Sequence, residues 1–212
     1  MPTPDHSTPP LDGPPRRGSP ASRARAGRLL RWFGWSVTGE QPTTPRAVLI
    51  LAPHTSNWDF PICMLAMLTV GWRITWIAKH TLFVWPASPI LRWLGGEPVD
   101  RRIHAGRVQH AIERFEASES LYLGIAPEGT RRRAEHWKTG FWRIAHGAGV
   151  PIIPLALDWS TRELRITPAM HTSGDVEADL RALRARFRAG MARHPTQFAE
   201  RPEPGGTAAR RE

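Results

Sequence analysis

Short apolar runs rich in β-branched residues alternate along the chain with stretches of helical periodicity, and this alternation limits the possible folds more than any other feature. The runs that predict strands are residues 47–52, 73–78, 121–125, 152–157 and 164–167. Between them, residues 60–70 and 103–115 have the spacing of helices. Strands that alternate with helices are typical of α/β proteins. We therefore expect an α/β fold with a mixed central sheet flanked by helices.

A further helix is predicted after the last strand. Asp175 can cap it, and an apolar stripe follows at helical spacing. The stripe consists of Val176, Leu180, Leu183, Phe187 and Met191. A chain of 212 residues is long enough for one sizeable core, and no repeat of solenoid period is visible. Residues 36–200 are therefore expected to form a single domain.

The two ends of the chain differ in composition from this domain. Residues 1–21 are rich in Pro, Ser and Arg and are predicted to be a disordered tail, and residues 201–212 a flexible one. Residues 22–35 alternate Arg with Leu, Trp and Phe, which favours a basic amphipathic helix. Such a helix can contact a membrane or pack on the domain, and the sequence leaves both alternatives open.

Charge and cysteine content restrict the class of protein less than they first suggest. The formal charge of +10 would fit an anionic partner, but of 29 basic residues only Lys79 and Lys138 are lysines. Such a skew towards Arg is also typical of GC-rich coding, so the charge is weak evidence. A single cysteine, Cys63, excludes a disulfide framework within the chain and a zinc site built on several cysteines. No metal or cofactor is predicted.

The apolar segments of the sequence indicate how the protein could associate with a membrane. The first residues lack the apolar core of a signal peptide, and the most apolar stretch, residues 60–71, is shorter than the roughly 20 residues of a bilayer span. Ten tryptophans against one tyrosine, Tyr122, suit a lipid–water interface, although most are expected in the core. We expect a cytoplasmic protein that is peripheral on the inner face of the cell membrane.

The segment APHTSNWDF places His54 five residues before Asp59, at the junction of a predicted strand and a predicted helix. A neutral imidazole can accept a proton from an alcohol at neutral pH. A carboxylate on its other nitrogen fixes the tautomer and stabilises the imidazolium that forms. Taken alone, the pair is also explained by a helix cap and a satisfied polar histidine.

Three further segments strengthen the catalytic interpretation. Residues 95–101 predict a turn that leads to Asp100 and Arg101, residues 126–131 follow a predicted strand, and residues 150–154 are apolar and bracketed by prolines. In this order and at these separations, the four blocks resemble those of the glycerolipid acyltransferases, the family of 1-acylglycerol-3-phosphate acyltransferases. The resemblance covers about residues 46–160. Pro53, Pro98 and Val99 depart from residues common in the family, which affects the acceptor more than the reaction.

The resemblance implies a role for each matching residue. His54 would be the general base and Asp59 its orienting partner, while the acceptor site and its phosphate would fall to Arg101, Glu128, Gly129, Thr130 and Arg131. An Arg guanidinium can bind phosphate oxygens with paired donors. Since a carboxylate repels phosphate, we expect Glu128 to hold an Arg or bind a hydroxyl. Lys79 falls where relatives carry a basic residue near the acyl site.

The function implied is transfer of a fatty acyl group from acyl-CoA or acyl carrier protein to a hydroxyl, with 1-acylglycerol-3-phosphate as the expected acceptor and phospholipid biosynthesis as the expected role. No acyl-enzyme is needed, because no G-x-S-x-G elbow exposes a serine and Ser56 fits a hydrogen-bonding neighbour. Alternatives are an acceptor without phosphate, such as another lipid or a sugar, and an acyl thioesterase. A nucleic-acid-binding protein is disfavoured, because the Arg residues form no recognised module.

Overall fold

The computed structural model describes residues 13–99 and 106–199. Within these ranges seven strands form one sheet, and six α-helices surround it. The strands are β1 Ser36–Gly39, β2 Arg46–Ala52, β3 Ile74–Lys79, β4 Gly96–Val99, β5 Leu121–Ile125, β6 Ile152–Asp158 and β7 Glu163–Ile166. The helices are α1 Pro20–Trp32, α2 Asp59–Val70, α3 Ala87–Trp93, α4 Arg107–Glu116, α5 Gly140–Gly147 and α6 Val176–Arg184.

The strand order is β1-β7-β6-β2-β5-β3-β4. Strands β6, β2, β5, β3 and β4 run parallel to one another, whereas β7 is antiparallel to β6 and β1 is parallel to β7. The sheet is therefore mixed. The five parallel strands all end at the same side of the sheet, which we call the carboxyl edge. Loops at such an edge are the usual place for ligand sites in open α/β sheets.

Two apolar cores lie on opposite faces of the sheet, because successive side chains of a strand point to opposite faces. In β2, Val48 and Ile50 belong to the core beneath α4, α5 and α6, while Ala47 and Leu49 belong to the core beneath α1 and α2. All seven residues of β6 are buried. This arrangement confirms the predicted α/β fold with a mixed sheet flanked by helices.

Helices α4 and α6 are shorter than the sequence predicts. Helix α4 begins at Arg107, after Gly106, and residues 100–105 lie outside the described part of the chain. Asp175 does cap α6, accepting bonds from the amides of Glu177 and Ala178 at 3.0 Å each. The helix ends at Arg184, yet Phe187 and Met191 are buried. The apolar stripe is thus core, but its last part is carried by tight turns.

Strands β1 and β4 and helices α3 and α5 were not predicted from the sequence. Both strands are four residues long and lie at the margins of the sheet. Residues 96–99 include Pro98, which favours a turn in a sequence interpretation but is tolerated in an edge strand. Helices of seven and eight residues carry too few turns for a clear periodicity.

The N-terminal segment is ordered from residue 13, so the predicted disordered tail extends too far. Pro14 and Pro15 are buried, the Arg73 amide donates to the Pro15 carbonyl at 2.8 Å, and the Arg17 amide donates to Gly71 at 2.9 Å. Backbone hydrogen bonds explain why this segment is ordered, because they form without large apolar side chains. Residues 1–12 and 200–212 lie outside the described ranges.

Residues 22–35 pack on the domain through one side of α1. Leu30 and Trp35 are 2% and 4% exposed, and the backbone of Gly27 approaches Thr69 of α2. The other side is bare, since Trp32 is 77% exposed and Phe33 46%. Of the two alternatives left open by the sequence, packing on the domain is therefore found for the side of α1 that carries Leu30. Trp35, which follows α1, belongs to the packed side, because its ring centroid lies 4.8 Å from that of Trp159 with the two rings edge to face.

Candidate active site

His54 and Asp59 lie together at the carboxyl edge. His54 follows the end of β2, and Asp59 is the first residue of α2, where a carboxylate also suits the helix dipole. Nδ1 of His54 is 3.4 Å from Oδ2 of Asp59. The Asp59 side chain is fully buried and that of His54 is 17% exposed. The imidazole can therefore reach a substrate while the carboxylate stays out of water.

Hydrogen bonds occupy both oxygens of the buried Asp59 carboxylate. Oδ2 accepts from the amides of Thr55 and Ser56 at 2.8 and 2.7 Å, and Oδ1 accepts from the indole Nε1 of Trp159 at 2.9 Å. A buried carboxylate needs such donors, because burial without them is costly. Ser56 is a hydrogen-bonding neighbour, as expected, and its Oγ accepts from the amide of Trp58 at 3.2 Å.

Trp159 was not identified as a site residue from the sequence. It comes directly after β6, and its hydrogen bond to Asp59 spans 100 residues of chain. No motif marks it. The available signal was its position, since a residue that follows a parallel strand next to β2 must lie near the residues that follow β2.

Glu128, after β5, bonds to the backbone of the candidate base. Its Oε1 accepts from the amide of His54 at 3.1 Å, while Oε2 is buried without a hydrogen-bond partner. Burial raises the pKa of the Glu128 carboxyl to about 7, although the His54 amide opposes this shift. From the sequence, an Arg or a hydroxyl was expected as the partner of this carboxylate. In the described part of the chain, the contact instead joins the 126–131 loop to His54.

The other candidate substrate-binding residues lie in the loop after β5, at the end of β3, or outside the described residues. Gly129 adopts a positive φ of 67°, which only glycine takes readily, and its amide closes a turn to Ala126 at 3.1 Å. Arg131 is exposed, and the Oγ1 of Thr130 accepts from the amide of Arg132 at 3.2 Å. Lys79 ends β3 at the carboxyl edge and is exposed. Arg101 lies outside the described residues.

A segment near the end of the described chain fastens the loops of this site together. The amide of His194 donates to Oγ1 of Thr55 at 3.3 Å. The side-chain amide of Gln197 faces the carbonyls of Arg131 and Thr55; with its nitrogen assigned to that side, it donates to them at 2.7 and 2.9 Å. The backbone amide of Trp159 donates to the Met191 carbonyl at 2.8 Å. Residues 191–197 therefore connect the loops after β2, β5 and β6, a contact that sequence motifs did not indicate.

A cavity of about 200 Å³ lies between β3, β4, β5 and α4, and His54 is not among the residues that line it. Its lining is mainly apolar and includes the ion pair formed by Glu97 and Arg114. Among residues 13–99 and 106–199, no three His, Cys, Asp or Glu side chains come close enough to hold a metal ion. Over the same ranges, no helix combines the length and the apolar character that a bilayer crossing requires.

Comparisons with known proteins establish the family of the chain. A family model described as Acyltransferase matches residues 35–158. The 1-acyl-sn-glycerol-3-phosphate acyltransferase of Escherichia coli is 28% identical over 150 residues, 66% of this chain and 60% of that protein. The enzyme of the same name from Haemophilus influenzae is 30% identical over 142 residues, 61% of this chain and 56% of that protein. The chain thus spans about 60% of the length of these curated relatives.

A solved structure shares the fold. The 1-acyl-sn-glycerophosphate acyltransferase of Thermotoga maritima superimposes with a TM-score of 0.55 at 22% identity, covering 78% of each chain. At this identity the likeness concerns the fold alone. The matched family model includes the His54–Asp59 segment, residues 100–106, the loop after β5, and all of β6. This confirms the resemblance drawn from the four sequence blocks: the chain belongs to the acyltransferase family.

Proposed function

We propose that the protein transfers a fatty acyl group from a thioester, acyl-CoA or acyl carrier protein, to a hydroxyl of 1-acylglycerol-3-phosphate. One observation carries the proposal: an accessible imidazole, His54, stands against a fully buried carboxylate, Asp59, at the carboxyl edge. Family membership and the names of the curated relatives support the acceptor.

The geometry suits base catalysis. With its Nδ1 proton directed to Asp59, the imidazole of His54 has Nε2 as its acceptor. The Nδ1–Oδ2 separation of 3.4 Å is longer than a formed hydrogen bond, and catalytic pairs often tighten only when substrate binds. Asp59 cannot turn away to any extent, because the Thr55 and Ser56 amides and the Trp159 indole hold its oxygens.

The reaction needs one base and no covalent enzyme intermediate. His54 takes the proton of the acceptor hydroxyl, and the oxygen attacks the carbonyl carbon of the thioester. The tetrahedral intermediate then collapses, the carbon–sulfur bond breaks, and the imidazolium returns its proton to the leaving thiolate. The products are the acylated acceptor and a free thiol, and His54 is again neutral.

The acceptor phosphate is assigned to Arg131, which follows β5, and to Arg101, which lies outside the described residues. Arg101 and Arg131 supply guanidinium groups, Thr130 a hydroxyl, and Gly129 a turn that lets backbone approach the ligand closely. Glu128 contributes indirectly, because its carboxylate accepts a hydrogen bond from the backbone amide of His54. Lys79, at the end of β3, is assigned to the acyl-donor side.

A membrane surface is the proposed working environment, with the inner face of the cell membrane as the location. Seven exposed apolar side chains come from segments that meet at the carboxyl edge, and we call them the edge patch. They are Leu29, Trp32, Phe33, Trp58, Leu82, Val84 and Trp85. Acyl chains and their acceptors partition into bilayers. An enzyme that presents tryptophans beside its catalytic histidine can therefore meet both there.

Substitution of the catalytic pair tests this function. His54→Ala should abolish acyl transfer, and Asp59→Asn should lower kcat by on the order of 10²-fold or more. His110→Ala on α4 is the matched control, because that side chain is 74% exposed and lies outside the site. Transfer is measured with acyl-CoA and 1-acylglycerol-3-phosphate in mixed micelles.

Two results would contradict the proposal. One is near-normal transfer by a well-folded His54→Ala protein, which would remove the base from the mechanism. The other is release of thiol from acyl-CoA at an undiminished rate without acceptor, which would identify a thioesterase.

A further inference from the structure

Arg193 is an exposed cation that two indole rings hold beside the catalytic pair. Its guanidinium carbon lies 4.6 Å from the ring centroid of Trp159 and 5.7 Å from that of Trp58. Both rings belong to the site: Trp58 precedes Asp59, and Trp159 donates its N–H to Asp59. One ring therefore touches the guanidinium with its face and the catalytic carboxylate with its edge.

In the part of the chain that the structure describes, the Arg193 guanidinium makes these two aromatic contacts and no hydrogen bond. A guanidinium stacks through its face, while its five N–H donors point outward in the plane. Within the described residues, no carboxylate lies within 4.0 Å of it, in contrast to Arg114, which binds Glu97 with two nitrogens at 2.6 and 2.9 Å. Arg193 is thus ordered by aromatic contacts and has donors available for an anion.

The position of Arg193 is fixed relative to the base. On its C-terminal side, the His194 amide and the Gln197 side chain bond to Thr55, the residue after His54. On its N-terminal side, the Met191 carbonyl accepts from the Trp159 amide. A side chain so placed costs little additional ordering entropy when a ligand binds.

We infer that Arg193 is an anion-binding residue of the active site and that it binds a phosphate group carried by one of the two substrates. The inference rests on the proposed function and extends its binding site beyond residues 46–160, which hold the four sequence blocks. Planar paired donors suit phosphate oxygens, and both proposed substrates carry phosphate. The two sources are the phosphate of the glycerolipid acceptor and the phosphates of the coenzyme A donor.

A direct measurement of phosphate binding tests this inference independently of acyl transfer. The Nε–H resonance of Arg193 is followed by NMR while glycerol 3-phosphate, the acceptor headgroup, or adenosine 3′,5′-bisphosphate, part of the donor, is added. Arg193→Gln keeps the length of the side chain and removes its charge and paired donors. Arg181→Gln on α6 is the control, because Arg181 is exposed and on a different element.

We expect the Arg193 resonance to shift with at least one probe, and Arg193→Gln to weaken binding of that probe about tenfold, the effect of losing a charge-assisted hydrogen bond. The KM of the matching substrate should rise by a similar factor, with Arg193→Lys intermediate and Arg181→Gln unchanged. The probe that responds identifies the source of the phosphate. An unshifted resonance with both probes, or equal binding by Arg193→Gln and the unsubstituted protein, overturns the inference. Because binding is measured without turnover, a protein that binds phosphate through Arg193 but transfers no acyl group would contradict only the proposed function.

Discussion

At the scale of single residues, the buried Glu128 carboxyl makes stability depend on pH. Burial raises its pKa from 4.5 to about 7. Between these values the folded protein holds a proton that the unfolded chain has released, so the free energy of unfolding falls as the pH rises. Glu128→Gln lacks this titration. We expect the stability of the unsubstituted protein, relative to Glu128→Gln, to fall by on the order of 3 kcal/mol between pH 4.5 and 7.5.

Urea unfolding of both proteins across this pH range measures the effect. Glu116→Gln is the control, because Glu116 is exposed on α4. Parallel stability curves for the unsubstituted protein and Glu128→Gln would show that Glu128 keeps its ordinary acidity in the fold.

Some residues of the site contact each other within a short stretch of sequence, and others contact it from distant parts of the chain. His54 and Asp59 are five residues apart, between the end of β2 and the first residue of α2, so their spacing along the chain was enough to indicate the pair. Trp159, directly after β6, contacts Asp59, and Arg193, after α6, contacts Trp58; both contacts span 100 residues or more. Such contacts depend on the order of strands in the sheet and leave no local signature in the sequence.

At the scale of elements, helix α1 has two sides with different roles in stability. Leu30 is 2% exposed and Trp32 is 77% exposed, although they are only two residues apart. Leu30→Ala should lower the free energy of unfolding by about 2–5 kcal/mol, because it leaves a cavity in the core. Trp32→Ala should change it by at most about 0.5 kcal/mol.

Denaturant titration of these two variants measures the difference. Point substitutions are preferable to a truncation before Ser36, since a truncation would also remove the buried Leu30 and Trp35. Equal effects of the two substitutions would mean that α1 does not pack on α2 through Leu30.

Strands were predicted where the sheet is covered on both faces. The apolar runs of β2, β5 and β6 are central, and a strand buried on both sides must be apolar throughout. The marginal strands β1 and β4 have one neighbour each and carry mixed residues, so composition did not distinguish them from turns. The missed site residues do not follow this rule: Trp159 comes directly after the predicted core strand β6, and Arg193 comes after the last helix, where no local pattern marks either residue.

At the scale of the whole molecule, helices cover both faces of the sheet, and the carboxyl edge carries much of the exposed apolar surface. Five of the ten tryptophans are buried and four are clearly exposed, so fewer lie in the core than the composition suggested. Three of these four, Trp32, Trp58 and Trp85, belong to the edge patch. The fourth, Trp93, lies near the start of β4, beside Arg17 and therefore near the opposite edge.

This distribution gives a matched test of membrane docking. The double variant Trp32→Ser and Trp85→Ser removes two exposed rings, 77% and 86% exposed, from the edge patch. Burial of one large apolar side chain contributes about 1.5–3 kcal/mol, so the double variant should weaken binding to anionic vesicles by at least about tenfold. Trp93→Ser removes a ring that is 61% exposed at the other edge and should leave binding unchanged.

Vesicle co-sedimentation measures the binding, and transfer to a short-chain acceptor below its micellar concentration reports whether the site itself is intact. We expect the double variant to keep transfer to the dispersed acceptor and to lose transfer on vesicles, because only the vesicle reaction requires docking. Arg25, Arg28 and Arg31 are exposed on α1 and add attraction to anionic headgroups, so binding should also weaken as salt is raised. Equal losses for the double variant and Trp93→Ser would show that exposed tryptophan anywhere on the surface suffices. In that case the carboxyl edge would not be the side that faces the bilayer.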